Sequence, residues 1–579
     1  MVNVKNLFGM AVMATALVGC ASNDDITPNA NGNDDNKVGT AYASFKINLP
    51  TTSGTRAIEG EPEFNGGDAN EYAVKDATLL LFKKETEAGK TVYKFQEAVD
   101  LGNMEPWTKQ DPANKGITTT AKMTAKLTKA SVGSSDYYAL ILLNNNYSTA
   151  AKITYPSEKQ KFSDWSVKAG NATAANYLKY DNGFFMANAP KYVANGEPQT
   201  LVQISAICAS KQEAENSTAT TVYVERGLAK VSLASGSDNK HVDISGGNYD
   251  GDKVDIKGWT LDVTNTKTFP VHVTEGLSTD FTGIWSDKTS AGKNGATVAR
   301  FYDSNLKEFP RVYWGVDPNY KTDFSDVTAC GKEFKMATAS DFKTGDEAKK
   351  AQYCLENTFD IDHMVQGQTT RVLFSAKYTP KGFSDDETFY KMGNSSQLWN
   401  AAKVVAQIKA KAKEVLSEAN ASTITVTLNA ADNDLTAAGT RLVKAVNVQH
   451  NSSDIKEDQA KEINKKLGFK EATATDPLVG LSTYVDGVSY YIARVKHFNE
   501  LTKWSAGDAT YNNSNIDWLG RYGVLRNNWY ELTVNSVSGP GYPDIPEVKP
   551  TTPDDENDQY INVEVKILDW AKRSQTVDL

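Results

Sequence analysis

Two residues near the start of the chain are placed for covalent chemistry. Cys20 closes the run Leu17, Val18, Gly19, Cys20, which follows Lys5 and the short apolar stretch from Leu7 to Val18. That order is the pattern of a bacterial lipobox, in which residues 1–20 are a signal peptide and the Cys20 thiol is diacylated. Arg56 is the second such residue. It is the one basic side chain after the small, polar stretch Thr51, Thr52, Ser53, Gly54, Thr55, so an arginine-specific, trypsin-like protease is expected to cut between Arg56 and Ala57. Lys46 lies inside a strand pattern and is expected to be protected by pairing.

Other reactive side chains are scattered. His241, His272, His363, His450 and His497 have no second ligand at helical or hairpin spacing, so no metal site is expected. The chain has no GxSxG, P-loop or dinucleotide fingerprint and no usable carboxylate pair, so no catalytic residue, cofactor or enzyme activity is expected. Asp250, Gly251 and Asp252 read as a hairpin turn, since the remaining ligands of a calcium loop are missing. Trp399 or Trp504 could form a sugar platform, although most aromatics in β-sandwiches are core. Cys330 and Cys354 could pair as a disulfide, or they and Cys208 could be three buried thiols. The formal net charge is −10 and no basic cluster is dense enough to follow a phosphate backbone, which argues against nucleic acid as a partner.

The element ahead of Arg56 is a strand. Ala43, Phe45, Ile47 and Leu49 alternate with Ser44, Lys46 and Asn48, the period of two expected when one face is buried, and Pro50 ends the run. The last twenty residues repeat the pattern: Ile561, Val563, Val565 and Ile567 alternate with Asn562, Glu564 and Lys566, and Trp570 follows. Removal of the first strand by cleavage leaves an apolar groove that the C-terminal strand of another copy is patterned to fill. Donor and acceptor are different surfaces, so such contacts generate a linear polymer of identical subunits.

At 579 residues more than one core is expected. The divisions read from the sequence are a signal peptide (1–20), a propeptide with an Asn- and Asp-rich tether and the removable strand (21–56), an N-terminal β-sandwich domain (57–235), a C-terminal β-sandwich domain with a helical insert (236–548), and an acidic, Pro-containing spacer with the donor strand (549–579). Strands are predicted at Ala77 to Phe82, Tyr137 to Leu143, Thr221 to Leu233, Trp259 to Val263, Thr370 to Tyr378, Ser489 to Val495 and Trp529 to Val537. Tyr137 to Leu143 is apolar throughout, as a strand covered on both faces would be. The turn-rich stretch after Leu233 is the expected domain boundary. Leu398, Ala402, Val405, Ile408, Ala412 and Val415 recur at helical spacing between Gln397 and Glu418, with Ser395 or Ser396 as the expected cap, and a shorter helix is expected over Lys456 to Leu467. The run from Gly539 to Asp558 holds five prolines and is expected to be an extended spacer that keeps the last strand away from its own domain.

Several stretches together resemble the stalk fimbrillins of type V pili, the family that includes the minor-fimbrium shaft proteins. They are the lipobox, the strand with its Arg56 loop, YYALILLNNN from Tyr137, GFFMANAP from Gly183, VERGLAKVSL from Val224, GWTLDVTNTKTFPV from Gly258, CLENT from Cys354 and YGVLRNNWYELTVNSVSG from Tyr522. The resemblance implies a mainly β fold of two transthyretin-like β-sandwich domains, export as an outer-membrane lipoprotein displayed at the cell surface, and removal of the N-terminal strand by an arginine-specific protease. It also implies donor-strand assembly into an extracellular pilus with anchor and tip subunits as further partners, the precursor lipid being the only membrane contact. The alternative is a monomeric surface lipoprotein that binds glycan or peptide. The matched strands at the two ends favour the polymer.

Overall fold

The computed structural model describes residues 39–50, 69–102, 108–109, 117–145, 153–168, 178, 183–191, 199–274, 312, 314–320, 326–358, 363–473, 476–496, 522–554 and 561–568. Cys20, Arg56, Ala57, His497, Trp504 and Trp570 lie outside them, as do the tether and the loop from Thr51 to Thr55.

The protein is mainly β. Its first sheet comprises β1 (Ala41–Pro50), β2 (Ala77–Glu87), β3 (Lys90–Gly102), β4 (Thr108–Lys109), β5 (Ile117–Leu127), β6 (Tyr137–Leu143), β7 (Met186–Asn188), β8 (Val202–Gln203) and β9 (Thr220–Arg226). The order is β3-β2-β6-β7-β9-β1-β5-β4, with β8 paired to β6. Alternate residues of β2 and β6, among them Leu79, Leu81, Ile141 and Leu143, share one core with β1, β5 and β9. The opposite side chains, Leu80, Phe82, Leu140 and Leu142, meet Ile153, Trp165 and Phe185 in a second core. β6 is therefore buried on both faces, as its unbroken apolar run requires.

The exit from β6 is fixed by Asn144, which adopts a left-handed backbone (φ 61°). Its amide Nδ2 donates to the carbonyl oxygens of Ala73 (2.8 Å) and Phe184 (2.7 Å), and its Oδ1 accepts from the Lys75 N–H (2.7 Å). Gly183 closes the same corner with φ +88°, and a Cβ there would lie 2.1 Å from the Ala73 carbonyl oxygen. Only glycine fits.

The chain leaves the first sheet at Arg226 and enters the second at Ala229. β10 (Ala229–Leu233), which the sequence assigned to the N-terminal part, lies in the order β14-β10-β17-β18 with β14 (Gln352–Cys354), β17 (Trp529–Val537) and β18 (Ile561–Leu568). The third sheet holds β11 (His241–Asp243), β12 (Lys253–Asp262), β15 (Arg371–Thr379) and β16 (Val488–Arg494) in that order, and β13 (Lys343–Thr344) pairs with β12. Val231, Tyr530, Leu532 and Val534 of the second sheet share a core with Ile256, Trp259, Phe374 and Tyr491 of the third.

The helical insert forms its own core. α1 (Ala401–Leu416) buries Val404, Ile408 and Ala412, and α2 (Glu457–Lys466) adds Ala460 and Ile463. The cap of α1 is Asn400, whose Oδ1 accepts from the Lys403 N–H at 3.0 Å. Ser395 and Ser396 lie too early to cap it because Leu398 and Trp399 pair with Lys391 and Tyr390 before the helix starts.

The proline-rich run is not a free spacer. The hydroxyls of Tyr491, Ser489 and Tyr484 donate to the carbonyl oxygens of Gly539, Pro540 and Gly541, and Arg371 Nη2 donates to that of Pro546 (2.9 Å). Pro546, Val548 and Asp554 are buried. Tyrosine and arginine donors supply the partners that prolines, lacking N–H groups, cannot obtain from a ladder. Beyond it, β18 pairs antiparallel with β17 of its own chain, from Trp529↔Leu568 to Val537↔Ile561, instead of being held away. The pairing satisfies a β17 edge that would otherwise be open.

Cys208, Cys330 and Cys354 are free thiols. Burial pushes Cys330 up to about 11 and Cys354 up to about 12, so both remain protonated at neutral pH.

Candidate functional site

The removable strand read from the sequence occupies the middle of the first sheet. β1 runs antiparallel to β5, with Ala43↔Ala125, Phe45↔Met123 and Ile47↔Ala121, and parallel to β9, with Phe45↔Thr220 and Ile47↔Val222. Ala41, Ala43, Phe45, Ile47 and Leu49 are all fully buried. Each of the three large residues contributes roughly 1.5 to 3 kcal/mol of burial. On the opposite face the Ser44 hydroxyl hydrogen-bonds that of Thr124 (2.9 Å), and the Thr120 hydroxyl donates to Asn48 Oδ1 (2.6 Å). Tyr42 and Cys208 exchange backbone hydrogen bonds at the entry end. Taking this strand out would leave unpaired edges on both β5 and β9 and an apolar groove one strand wide between them.

A joint between the first and second sheets lies beside β9. Arg226, at the end of β9, donates from Nε to the Glu71 carbonyl oxygen (2.7 Å) and from Nη1 to Asn527 Oδ1 (3.0 Å). Glu225 meets His272 Nδ1 at 2.7 Å, while His272 Nε2 lies 2.9 Å from the Trp314 carbonyl oxygen. Arg526 pairs with Glu356 through two nitrogens and donates to the Thr268 hydroxyl (3.2 Å). The Lys230 ammonium lies 2.7 Å from Glu71 Oε1, which also accepts from the Tyr353 hydroxyl (2.6 Å). The same ammonium sits 3.7 Å from the centroid of the Trp529 ring.

Burial opposes ionisation of Glu71, but the Lys230 charge, the hydrogen bonds from Lys230 and Tyr353 and the Arg226 charge outweigh it, leaving its pKa below the ordinary carboxylate range. Charges this deep persist because each has an opposite charge or hydrogen-bonding oxygens against it. They tie the sheet that contains β1 to the sheet that contains β18.

This joint is not legible in the sequence, although Glu225, Arg226, Glu356, Arg526 and Asn527 stand in the quoted stretches VERG, CLENT and LRNN. The available signal was Glu225 and Arg226 interrupting an apolar run, which in a buried segment demands partners.

The remaining candidates fall into structural roles. Asp252 accepts from the Tyr378 hydroxyl (2.5 Å) and the Lys381 N–H (2.7 Å), and Gly251 has φ +86°, which is the turn between β11 and β12. Trp399 packs half-buried against the core of α1 and α2. His241 pairs with Asp255 (2.7 Å) and His450 with Glu418 (2.8 Å). Among the described residues no group of three or more His, Cys, Asp or Glu side chains is arranged to hold a metal. None of their helices is long and apolar enough to cross a membrane.

Comparison with known proteins bears on the C-terminal part. Residues 482–576 match the family described as "Major fimbrial subunit protein type IV, Fimbrillin, C-terminal". No curated relative matches the chain. Among solved structures, a candidate cell adhesion protein from Parabacteroides distasonis is 10% identical with a TM-score of 0.37, covering 93% of this chain and 99% of that one. Another from Bacteroides eggerthii is 11% identical with a TM-score of 0.32, covering 93% and 100%. The matched segment includes β16, β17 and β18, so β17 and the tail strand paired to it lie in the part of the chain that resembles the fimbrillin C-terminal model.

Proposed function

We propose that this chain is the stalk (major shaft) subunit of a surface pilus, made as a lipoprotein acylated at Cys20 and activated when a protease cuts between Arg56 and Ala57. Loss of Ala43, Phe45, Ile47 and Leu49 opens the groove between β5 and β9. Ile561, Val563, Val565 and Ile567 of a second copy, extended by Trp570, fill it as the donor. The two sheet-built bodies are read as transthyretin-like β-sandwich domains.

The observation that carries this reading is the position of β1, a central strand whose apolar face is fully buried and whose sequence leads directly into the Arg56 loop. The fimbrillin match over β16 to β18 supports the same assignment. β18 pairs with its own β17 along one edge only, so a donor role requires exchange of one antiparallel partner for two new ones. The competing reading, a monomeric surface lipoprotein that binds glycan or peptide, draws on that same pairing, which a monomer would keep.

N-terminal sequencing of filaments from cell surfaces tests the proposal. Polymerised subunits should begin at Ala57 and carry no lipid, and Arg56→Ala should leave a folded, acylated monomer. Filaments assembled from the Arg56→Ala chain would defeat the reading.

A further inference from the structure

The outward face of β1 carries an unfavourable pair. Lys46 is exposed and lies directly opposite the exposed Lys122 of β5, with Thr221 of β9 on its other side. Like charges directly opposed across an antiparallel pair destabilise it, and opposite charges stabilise it. The Lys122 ammonium is held at this face by a 2.9 Å hydrogen bond to the Glu215 carbonyl oxygen.

We propose that Glu564 of an incoming copy takes the place of Lys46 opposite Lys122, so that this lysine favours the donor over the propeptide strand. The inference rests on the strand-exchange reading. The groove offers five core positions, Ala41 to Leu49 by alternation, and the donor has four apolar residues, Ile561 to Ile567, bracketed by Gln559 and Asp569. Matching those four to positions 43 through 49 leaves only Ala41, an alanine-sized site at the end of the row, to a polar residue. A shift by two would put Gln559 or Asp569 into the site of Leu49.

The shift would also move Glu564 from the exposed position of Lys46 to that of Ser44, which is 2% exposed. A buried, unpaired carboxylate there is disfavoured. The favoured register centres Glu564 on Lys46 whichever way the donor runs, because residues 561–567 read nearly the same in both directions. Lys566 then falls at Asn48 or Ser44, both buried, so this register requires its long stem to carry the ammonium out to solvent.

The test uses the full chain with Cys208→Ser, protease treatment and oxidation. Lys122→Cys combined with Glu564→Cys should give filaments that run as a covalent ladder on a non-reducing gel. A ladder from Thr124→Cys with Glu564→Cys, and none from the first pair, would overturn this register while leaving strand exchange intact. Filaments with no ladder from either pair would overturn both. If the cysteine variants fail to assemble, charge reversal decides: Glu564→Lys should slow filament growth roughly two- to tenfold, and adding Lys122→Glu should restore it. Unchanged growth, or no restoration, would overturn the assignment.

Discussion

Phe45→Ala tests whether β1 stabilises the unprocessed chain alone, as the proposed strand exchange requires. Phe45 is fully buried, paired to Met123 and Thr220, in a core shared with Leu79, Leu81 and Ile141. Truncating a buried phenylalanine costs about 3 to 5 kcal/mol, a large part of the roughly 5 to 15 kcal/mol that stabilises a typical domain. With a denaturant slope of about 1 to 3 kcal/mol per molar urea, the unfolding midpoint of the unprocessed chain should fall by roughly 1 to 5 M. If cleavage removes the altered strand as proposed, filaments from the variant should match the parent in stability. Urea titration of the precursor, followed by the same titration of assembled filaments, makes the comparison. A precursor midpoint within about 0.3 M of the parent would refute the burial argument. Filaments that inherit the loss would refute removal of the strand.

Three further outcomes concern the frame around β1. Lys230→Met removes the ammonium paired with the buried Glu71 carboxylate and should destabilise the chain by about 3 to 5 kcal/mol, whereas Lys230→Met with Glu71→Leu should recover most of that, as chemical denaturation would read. Because the folded-state pKa of Glu71 is lowered, its contribution is present above the ordinary carboxylate range and is lost as pH falls through the folded value, so Glu71→Gln should flatten the acid limb of a stability-pH curve. Gly183→Ala, whose Cβ would strike the Ala73 carbonyl oxygen, should lower stability by more than about 2 kcal/mol; a neutral effect in thermal unfolding would show that the corner can open.

The strands were legible where a local pattern decides them. Tyr137–Leu143 and Trp529–Val537 have the ends expected from the sequence, and the alternation at Phe45 became a strand with the expected face buried. Long-range pairing was not legible. The run from Thr221 to Leu233 bends at Gly227 and Leu228 and serves two sheets, because Arg226 is drawn to Asn527, three hundred and one positions away in sequence. Local composition also misled at residues 539–554, where prolines suggest an isolated spacer but side-chain donors on the neighbouring strands hold the segment down. The buried face of β1 was legible from its own alternation, which names Ala43, Phe45, Ile47 and Leu49. Its neighbours β5 and β9 were not.

The most direct measurement is a filament assay on protease-treated chain lacking residues from Tyr560 onward, with Val565→Asp in the complete chain beside it. Both should retain the circular dichroism of the folded body. Neither should elongate, because the first lacks the donor and the second places an unpaired carboxylate in an apolar groove. Normal filaments from the truncated chain would contradict the account, since the joint between subunits would then be made by some other part of the molecule.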